Sequence, residues 1–240
     1  MSGWQVHVHE RVTSTNLVAA QLPVWNAVRA DTQSAGRGRF QRSWISDRGG
    51  LWLSAVVPLA PRSPAAPMLP LAAGLAVSDA LQAIGVKDLR MRWPNDLLVG
   101  RRKLAGLLVD QIVPGRAIVG IGINVANAPQ EQDAALNGQV ARLSDLVSPV
   151  PSLANLTERV LRALEAVWNE VERAGPEGLL PRINALWPMP IPVQLDLDGE
   201  MVTGEFAGVD ARGRLRFHPA LPAGVKYFEP HQVRLLREID

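Results

Sequence analysis

The run from Gln33 to Trp44, QSAGRGRFQRSW, sets Arg37, Arg39 and Arg42 close together around Gly36 and Gly38. Glycine lets a backbone turn tightly and come close to a ligand, and guanidinium groups bind phosphate or carboxylate oxygens through paired donors. The chemistry this pattern suits is the holding of an anion. A solvated arginine-rich turn has the same composition, so both readings stand at this point. The run is not a Walker A loop, because no Gly-Lys-Ser/Thr follows, and it is not the dinucleotide fingerprint, because the third glycine is absent. Trp44 is suited either to the core or to covering a planar base.

A second segment, RWPNDLLVGRRKLAG from Arg92 to Gly106, brings an amide and a carboxylate, Asn95 and Asp96, to a turn stiffened by Pro94. Such side chains commonly satisfy local backbone groups. Lys103 follows Arg101 and Arg102, whose charges press a lysine toward an anionic partner. Lysine is rare in this chain: only Lys87, Lys103 and Lys226 stand among 25 basic residues. Drift from lysine to arginine explains most positions, yet a lysine kept where arginine is the rule marks a place for a compact, mobile charge. In the third segment, Gly120 to Asn124, two glycines interrupt an apolar strand, which signals either a bulge or the close approach of a ligand.

The elements that must position these residues read as short strands divided by Gly- and Pro-rich turns. Strands are expected at Trp4 to His9, Trp25 to Ala30 and Leu51 to Val57, and a short helix near Asn16 is capped by Thr13, Ser14 or Thr15. Met68 to Ile84 carries apolar residues at helical spacing. Two strands joined at Gly100-Arg101-Arg102 then precede another at AIVGIGINV. A loop from Asn127 to Pro151 leads to a helix from Leu153 to Arg173 and a shorter one from Glu177 to Leu186. The stiff connector WPMPIP follows. Strand follows strand without crossover helices, so the expected class is α+β: a mixed, mainly antiparallel sheet with helices on one face. Beyond the connector, short alternating strands with Asp-Gly, Arg-Gly and Pro222-Ala223-Gly224 turns suggest a small SH3-like β-barrel. The expected division is residues 1–187 and 188–240.

Composition excludes several classes. At 240 residues the chain can bury a substantial core, and a net charge of +2 does not by itself point to nucleic acid. The absence of cysteine removes disulfide scaffolds, thiol nucleophiles and cysteine-based zinc sites. No apolar region follows a basic flank at the start, and the most apolar stretch, Ala65 to Ile84, is broken by Pro67, Pro70 and Asp79. A soluble cytoplasmic protein is expected, with no membrane partner.

Taken together, Ser14-Thr15-Asn16, Gln33 through Trp44, Arg92 through Asp96, Arg102 through Asp110 and Gly120 through Asn124 resemble, in order, the signature of the biotin protein ligases. That pattern runs S-T-N, Q-x-A-G-R-G-R-x-x-R-x-W, K-W-P-N-D, R-K-L-A-G-I-L-V-E and G-x-G-I-N. The resemblance covers nearly the whole chain, because the family also ends in a small SH3-like domain. Two departures, Arg92 for lysine and Asp110 for glutamate, keep the sign of charge. Members that repress transcription carry an N-terminal helix-turn-helix. Ser14 stands too early for one, so a ligase without the DNA-binding module, and without DNA as a partner, is expected.

The resemblance implies a reaction in two steps, biotin with ATP to biotinyl-5′-AMP, then transfer to a lysine of a biotin carboxyl carrier protein. It implies Lys103, Arg39 and Asp96 as catalytic residues and a biotin set of Ser14, Thr15, Asn16, Gln33, Arg37, Gly38, Arg39, Lys103 and Gly106. The ATP set is Arg37, Arg39, Arg42, Trp44, Asn95, Asp96 and Asn124. Mg²⁺ is expected to travel with ATP rather than in a fixed metal site, and a homodimer is possible. Lipoate or octanoate transfer is the neighbouring alternative, although the Arg-Arg-x-Ser-Gly-Gly-Gly run of those families is missing. An RNA-binding module is more remote, because aromatic residues do not interleave with the arginines.

Overall fold

The computed structural model describes residues 3–220 and 224–239. A seven-stranded sheet dominates the first part of the chain, in the spatial order β1 (Gln5–Val12), β2 (Asn26–Gln33), β3 (Leu51–Leu59), β7 (Gly115–Ile123), β6 (Arg102–Val113), β5 (Asp96–Val99) and β4 (Leu89–Arg92). Only β1 and β2 run parallel; the remaining ladders are antiparallel. The expected mixed, mainly antiparallel sheet is therefore present.

Period-two alternation decides what each face of this sheet does. Along β3, Leu51, Leu53, Ala55, Val57 and Leu59 join the main core with Ala117, Val119, Ile121 and Ile123 of β7. That face is covered by α2 (Leu69–Gln82) and α3 (Leu153–Ala174). Helix α2 is buried on nearly every side because it lies between sheet and α3, and a Cβ on Gly74 would come within 2.4 Å of the Met91 side chain. Helix α3 keeps one polar face. Its Trp168 donates to the Pro58 carbonyl at 2.9 Å, fastening the layer to β3.

The alternate residues of the same strands, Val28, Val56 and Ile118, form a smaller cluster on the opposite face with Ala19 and Ala20. These alanines belong to the end of α1 (Thr15–Ala19), so the helices do not all share one face. The two long ones cover one side, and α1 leaves most of the other side open because it spans barely more than a turn.

Two further local differences have simple causes. The segment from Leu89 to Val113 holds three strands rather than two, because the Trp93-Pro94 turn interrupts the pattern and returns β5 against β4. The expected helix from Glu177 to Leu186 is a 3-10 turn at Pro176–Leu179 followed by α4 (Leu180–Asn184), since Pro181 stands at its start.

A second, five-stranded antiparallel sheet takes up the C-terminal part, with β8 (Ile191–Leu197), β9 (Glu200–Val209), β10 (Leu215–Pro219), β11 (Lys226–Phe228) and β12 (Leu235–Glu238) in the order β11-β10-β9-β8-β12. It corresponds to the predicted SH3-like strands; residues Pro222 and Ala223 of the expected turn lie outside the described residues. The second sheet is tied to the first. Trp93 Nε1 donates to the Gly213 carbonyl at 3.0 Å, and Arg90 pairs with Glu238 at 2.6 Å.

Candidate active site

The open face of the large sheet carries a cavity of about 730 Å³. Its floor follows from the strand register. Gly106 of β6 stands opposite Gly122 of β7, and Leu108 opposite Gly120, so at three of these four positions the side of the ladder facing away from the helices bears hydrogen where a side chain would otherwise stand. A Cβ on Gly122 would lie 2.7 Å from Trp44 Nε1, and one on Gly106 would lie 2.9 Å from Trp44 Cζ3. The indole of Trp44 therefore rests directly on the bare ladder, where it meets Trp52 edge to face with centroids 6.3 Å apart. Its Nε1 is buried and has no hydrogen-bond partner within the protein.

One end of the cavity is neutral and densely hydrogen-bonded. Ser14, Thr15 and Asn16 at the start of α1 are all buried. The backbone N–H and the hydroxyl of Thr15 both reach Gln33 Oε1, at 2.7 and 3.0 Å. Gln33 Nε2 donates to Ser46 Oγ at 2.8 Å, and Ser46 donates to the Trp44 carbonyl at 3.0 Å. Asn16 donates to Asp110 at 2.8 Å and accepts from Ser54 at 2.6 Å. This end offers oriented neutral groups, among them those of the buried Ser14, Thr15 and Asn16.

The other end is cationic. Lys103 Nζ lies 2.6 Å from Asp96 Oδ1 and 4.8 Å from the Trp44 ring centroid, and Arg92 holds the second Asp96 oxygen at 2.8 Å. Burial alone would push the Asp96 carboxyl up, but the adjoining Lys103 and Arg92 outweigh it and hold Asp96 below the ordinary carboxylate range. The group therefore stays ionised near neutrality and is a poor proton acceptor there.

The arginine loop is anchored from a distance in sequence. Arg39 donates to the carbonyls of Pro230 and Val233, and Arg42 donates to that of Arg234 at 3.4 Å, so the chain between β11 and β12 grips the loop. Phe40, at a φ of 54°, has the guanidiniums of Arg39 and Arg234 at 4.8 and 5.9 Å from its ring centroid. Burial lowers the Arg39 pKa and neighbouring Arg42 adds to this, opposed by Asp96. Arg37 is exposed at the rim.

Every residue of the expected catalytic, biotin and ATP sets lines this cavity: Ser14, Thr15, Asn16, Gln33, Arg37, Gly38, Arg39, Arg42, Trp44, Asn95, Asp96, Lys103, Gly106 and Asn124. Asn95 and Asn124, like Asn16 and Gln33, have their amides engaged by the protein itself. Asn95 Nδ2 donates to the Leu107 carbonyl at 2.7 Å, closing the turn onto β6. Asn124 donates to the Lys103 carbonyl at 3.2 Å and accepts from Asn127 at 3.0 Å. Sequence reasoning missed Ser54 and the structural part played by Asp110. The available signal for Ser54 was a lone hydroxyl inside LWLSAVVPL, a strand whose every other residue is apolar. Among the described residues no group of three or more His, Cys, Asp or Glu is placed to hold a metal ion. Asp96, at the basic end, is already committed to two cations. Nor is any described helix long and apolar enough to cross a membrane.

Residues 8–126 match the model of the biotin/lipoate A/B protein ligase family. The chain is 33% identical over 227 residues to the biotin--[acetyl-CoA-carboxylase] ligase of Mycobacterium tuberculosis, spanning 89% of this chain and 84% of that protein. It is 30% identical over 232 residues to the bifunctional ligase/repressor BirA of Escherichia coli, covering 90% of this chain and 70% of that one. Among solved structures, the biotin protein ligase of Aquifex aeolicus in complex with biotin and ATP superposes with a TM-score of 0.82 at 25% identity, covering 98% of this chain and 99% of the other. On the order of its motifs, the fold that joins them and these relatives, the chain belongs to the biotin protein ligases of the biotin/lipoate A/B protein ligase family.

Proposed function

We propose that the protein activates biotin with ATP and transfers it to a lysine of a biotin carboxyl carrier protein, the acceptor domain of an acetyl-CoA carboxylase. The observation that carries this reading is the polarity of the cavity: neutral hydrogen-bonding side chains line one end and a cluster of cations the other, joined across a glycine floor. Biotin has matching parts, a neutral ureido ring and a carboxylate on an apolar chain.

In the first step a biotin carboxylate oxygen attacks the α-phosphorus of ATP. The new P–O bond gives biotinyl-5′-AMP, and the bond to the β-phosphate breaks, with pyrophosphate leaving with the electron pair. Two anions must meet, so the contribution required of the protein is fixed positive charge placed where negative charge moves. Lys103 stands at the cationic end, with Asp96 and Trp44 setting its position. Arg37, Arg39 and Arg42 supply the rim, and Trp44 together with Asn95 and Asn124 faces the nucleotide. Ser14, Thr15, Asn16 and Gln33 hold the ureido ring, and Gly38 and Gly106 allow close approach.

In the second step the acceptor amine attacks the acyl carbon and AMP departs. Asp96, kept below the usual carboxylate range, is a poor base for that amine, so its contribution is to hold Lys103, and the proton passes to solvent. With no His, Cys, Asp or Glu cluster among the described residues placed to hold a metal, Mg²⁺ would be held through the nucleotide and would screen phosphate charge there. A cysteine-free chain suits the reducing cytoplasm, the setting we assign to it.

The test is incubation of the purified chain with biotin, MgATP and a carrier domain, read by mass. A gain of one biotinyl group on the carrier supports the reading. No gain with biotin, together with a gain when lipoate replaces it, would transfer the assignment to the lipoate branch of the family.

A further inference from the structure

Asp110 lies outside the residues given a role above, yet it terminates the hydrogen-bonded chain that crosses the neutral end of the cavity. Its carboxylate can only accept, so the Asn16 amide must present Nδ2 to it, at 2.8 Å. That turns Asn16 Oδ1 toward Ser54 Oγ, 2.6 Å away. An amide oxygen cannot donate, and Ser54, fully buried, has one proton, which is thereby drawn to Asn16 rather than to Thr15 Oγ1 at 2.7 Å. Gln33 is oriented independently, because its Oε1 takes the Thr15 backbone N–H and its Nε2 donates to Ser46. The Thr15 proton is left with two internal acceptors, Ser54 Oγ and Gln33 Oε1.

We propose that Asp110 is a positioning residue for the biotin end of the site, acting through Asn16 and Ser54 to make Thr15 Oγ1 meet the cavity as a hydrogen-bond acceptor. The ligand group this selects is an N–H donor, which a ureido ring supplies and a dithiolane does not. Without the carboxylate, the Asn16 amide is free to turn over. Ser54 then donates to Thr15 and takes up one of the lone pairs the ligand would use. This inference rests on the reading of the cavity as a biotin site.

The test uses an isosteric exchange. Asn16→Asp sets two acceptors against each other, and adding Asp110→Asn returns a donor between them without changing shape. The wild type, N16D and N16D/D110N are titrated with biotin by calorimetry, with thermal unfolding followed alongside. N16D should bind biotin at least about tenfold more weakly, the scale of one unpaired buried polar group, and the double variant should recover most of that loss. If N16D binds as tightly as the wild type, or if a double variant that melts with the wild type binds no better than N16D, the proposal falls. Asp110→Ala creates no carboxylate pair and serves as a second measurement. Its half-saturation should rise for biotin and change less than about twofold for ATP; equal rises for both substrates would reduce Asp110 to general support and overturn the proposal. A wild-type chain that fails to bind biotin at all overturns instead the reading on which this one is built.

Discussion

Lys103 Nζ stands 2.6 Å from Asp96 Oδ1, and the ladder places the two residues on neighbouring strands, β6 and β5, rather than in adjacent sequence. The pairing leaves a compact ammonium at the cationic end of the cavity, 4.8 Å from the Trp44 ring centroid. A guanidinium there would be planar, longer and committed to a fork geometry. Lys103→Ala should therefore leave a folded protein whose biotin-dependent exchange of pyrophosphate into ATP falls by at least about a hundredfold, the scale of removing one preorganised electrostatic contact. Lys103→Arg should restore only a small part of it. Exchange at the wild-type rate in either variant would remove Lys103 from the mechanism.

Asp96 makes a pH prediction whose sign follows from its environment. Burial raises its pKa, but Lys103 and Arg92 lower it further than burial raises it, so the folded value lies below the ordinary 3.8. A depressed carboxylate stabilises the fold at all pH values above its unfolded pKa, and this stabilisation is lost as pH falls through the folded value. Asp96→Asn should accordingly be less stable than the wild type from neutrality down to about pH 4, with the two converging in more acidic solution. Chemical denaturation across that range measures it. A gap that persists at the acid end would mean that the charge of Asp96 is not what stabilises the pair.

The glycine floor predicts a separation of effects. A Cβ on Gly120 would sit 2.5 Å from Asn16 Oδ1, and one on Gly122 would meet the Trp44 indole at 2.7 and 2.8 Å. Gly120→Ala should disturb the neutral end, raising half-saturation for biotin more than for ATP, and Gly122→Ala should move Trp44 and do the reverse. Steady-state kinetics with each substrate varied in turn distinguishes the two. Identical effects of both changes on both substrates would count against the division of the cavity.

Much of this site was legible because its chemistry is local in sequence. The spacing of Gly36, Arg37, Gly38 and Arg39 suits either the holding of an anion or a solvated turn, and the scarcity of lysine marks Lys87, Lys103 and Lys226 as exceptions, of which Lys103 lines the cavity. What escaped notice depends on register and on distant chain segments. Nothing near Arg39 shows that the carbonyls of Pro230 and Val233 receive it, since the loop and that turn are brought together only by the packing of two sheets. Ser54 reads as one hydroxyl in a buried strand until the alternation of β3 turns it away from the helices and toward Asn16. The placement of α1 on the open face was equally hidden. A helix of Thr15–Ala19 carries too few residues for its apolar side to be read from periodicity.

That short helix gives the last prediction. Five residues are too few to be stable as a helix alone, so α1 must be held from outside. Arg116, near the start of β7, does this by donating Nη1 to the Leu22 carbonyl at 2.6 Å and Nη2 to the Ala20 carbonyl at 3.0 Å. A cation at the C-terminal end of a helix satisfies carbonyls that have no partner within it and opposes their partial negative charge. The other end of α1 carries Thr15 and Asn16 into the cavity, so loosening the anchor should spread the positions of both. Arg116→Met keeps the apolar stem but removes the donors, and should cost about 1.5 to 3 kcal/mol of stability, the range for hydrogen bonds to a charged group. Below its melting temperature the variant should bind biotin several-fold more weakly while its half-saturation for ATP stays close to the wild-type value, because the cationic end rests on β5 and β6 instead. If the stability falls and biotin binding does not, α1 is held in place by its contacts with Val28, Val56 and Ile118, and Arg116 serves the fold alone.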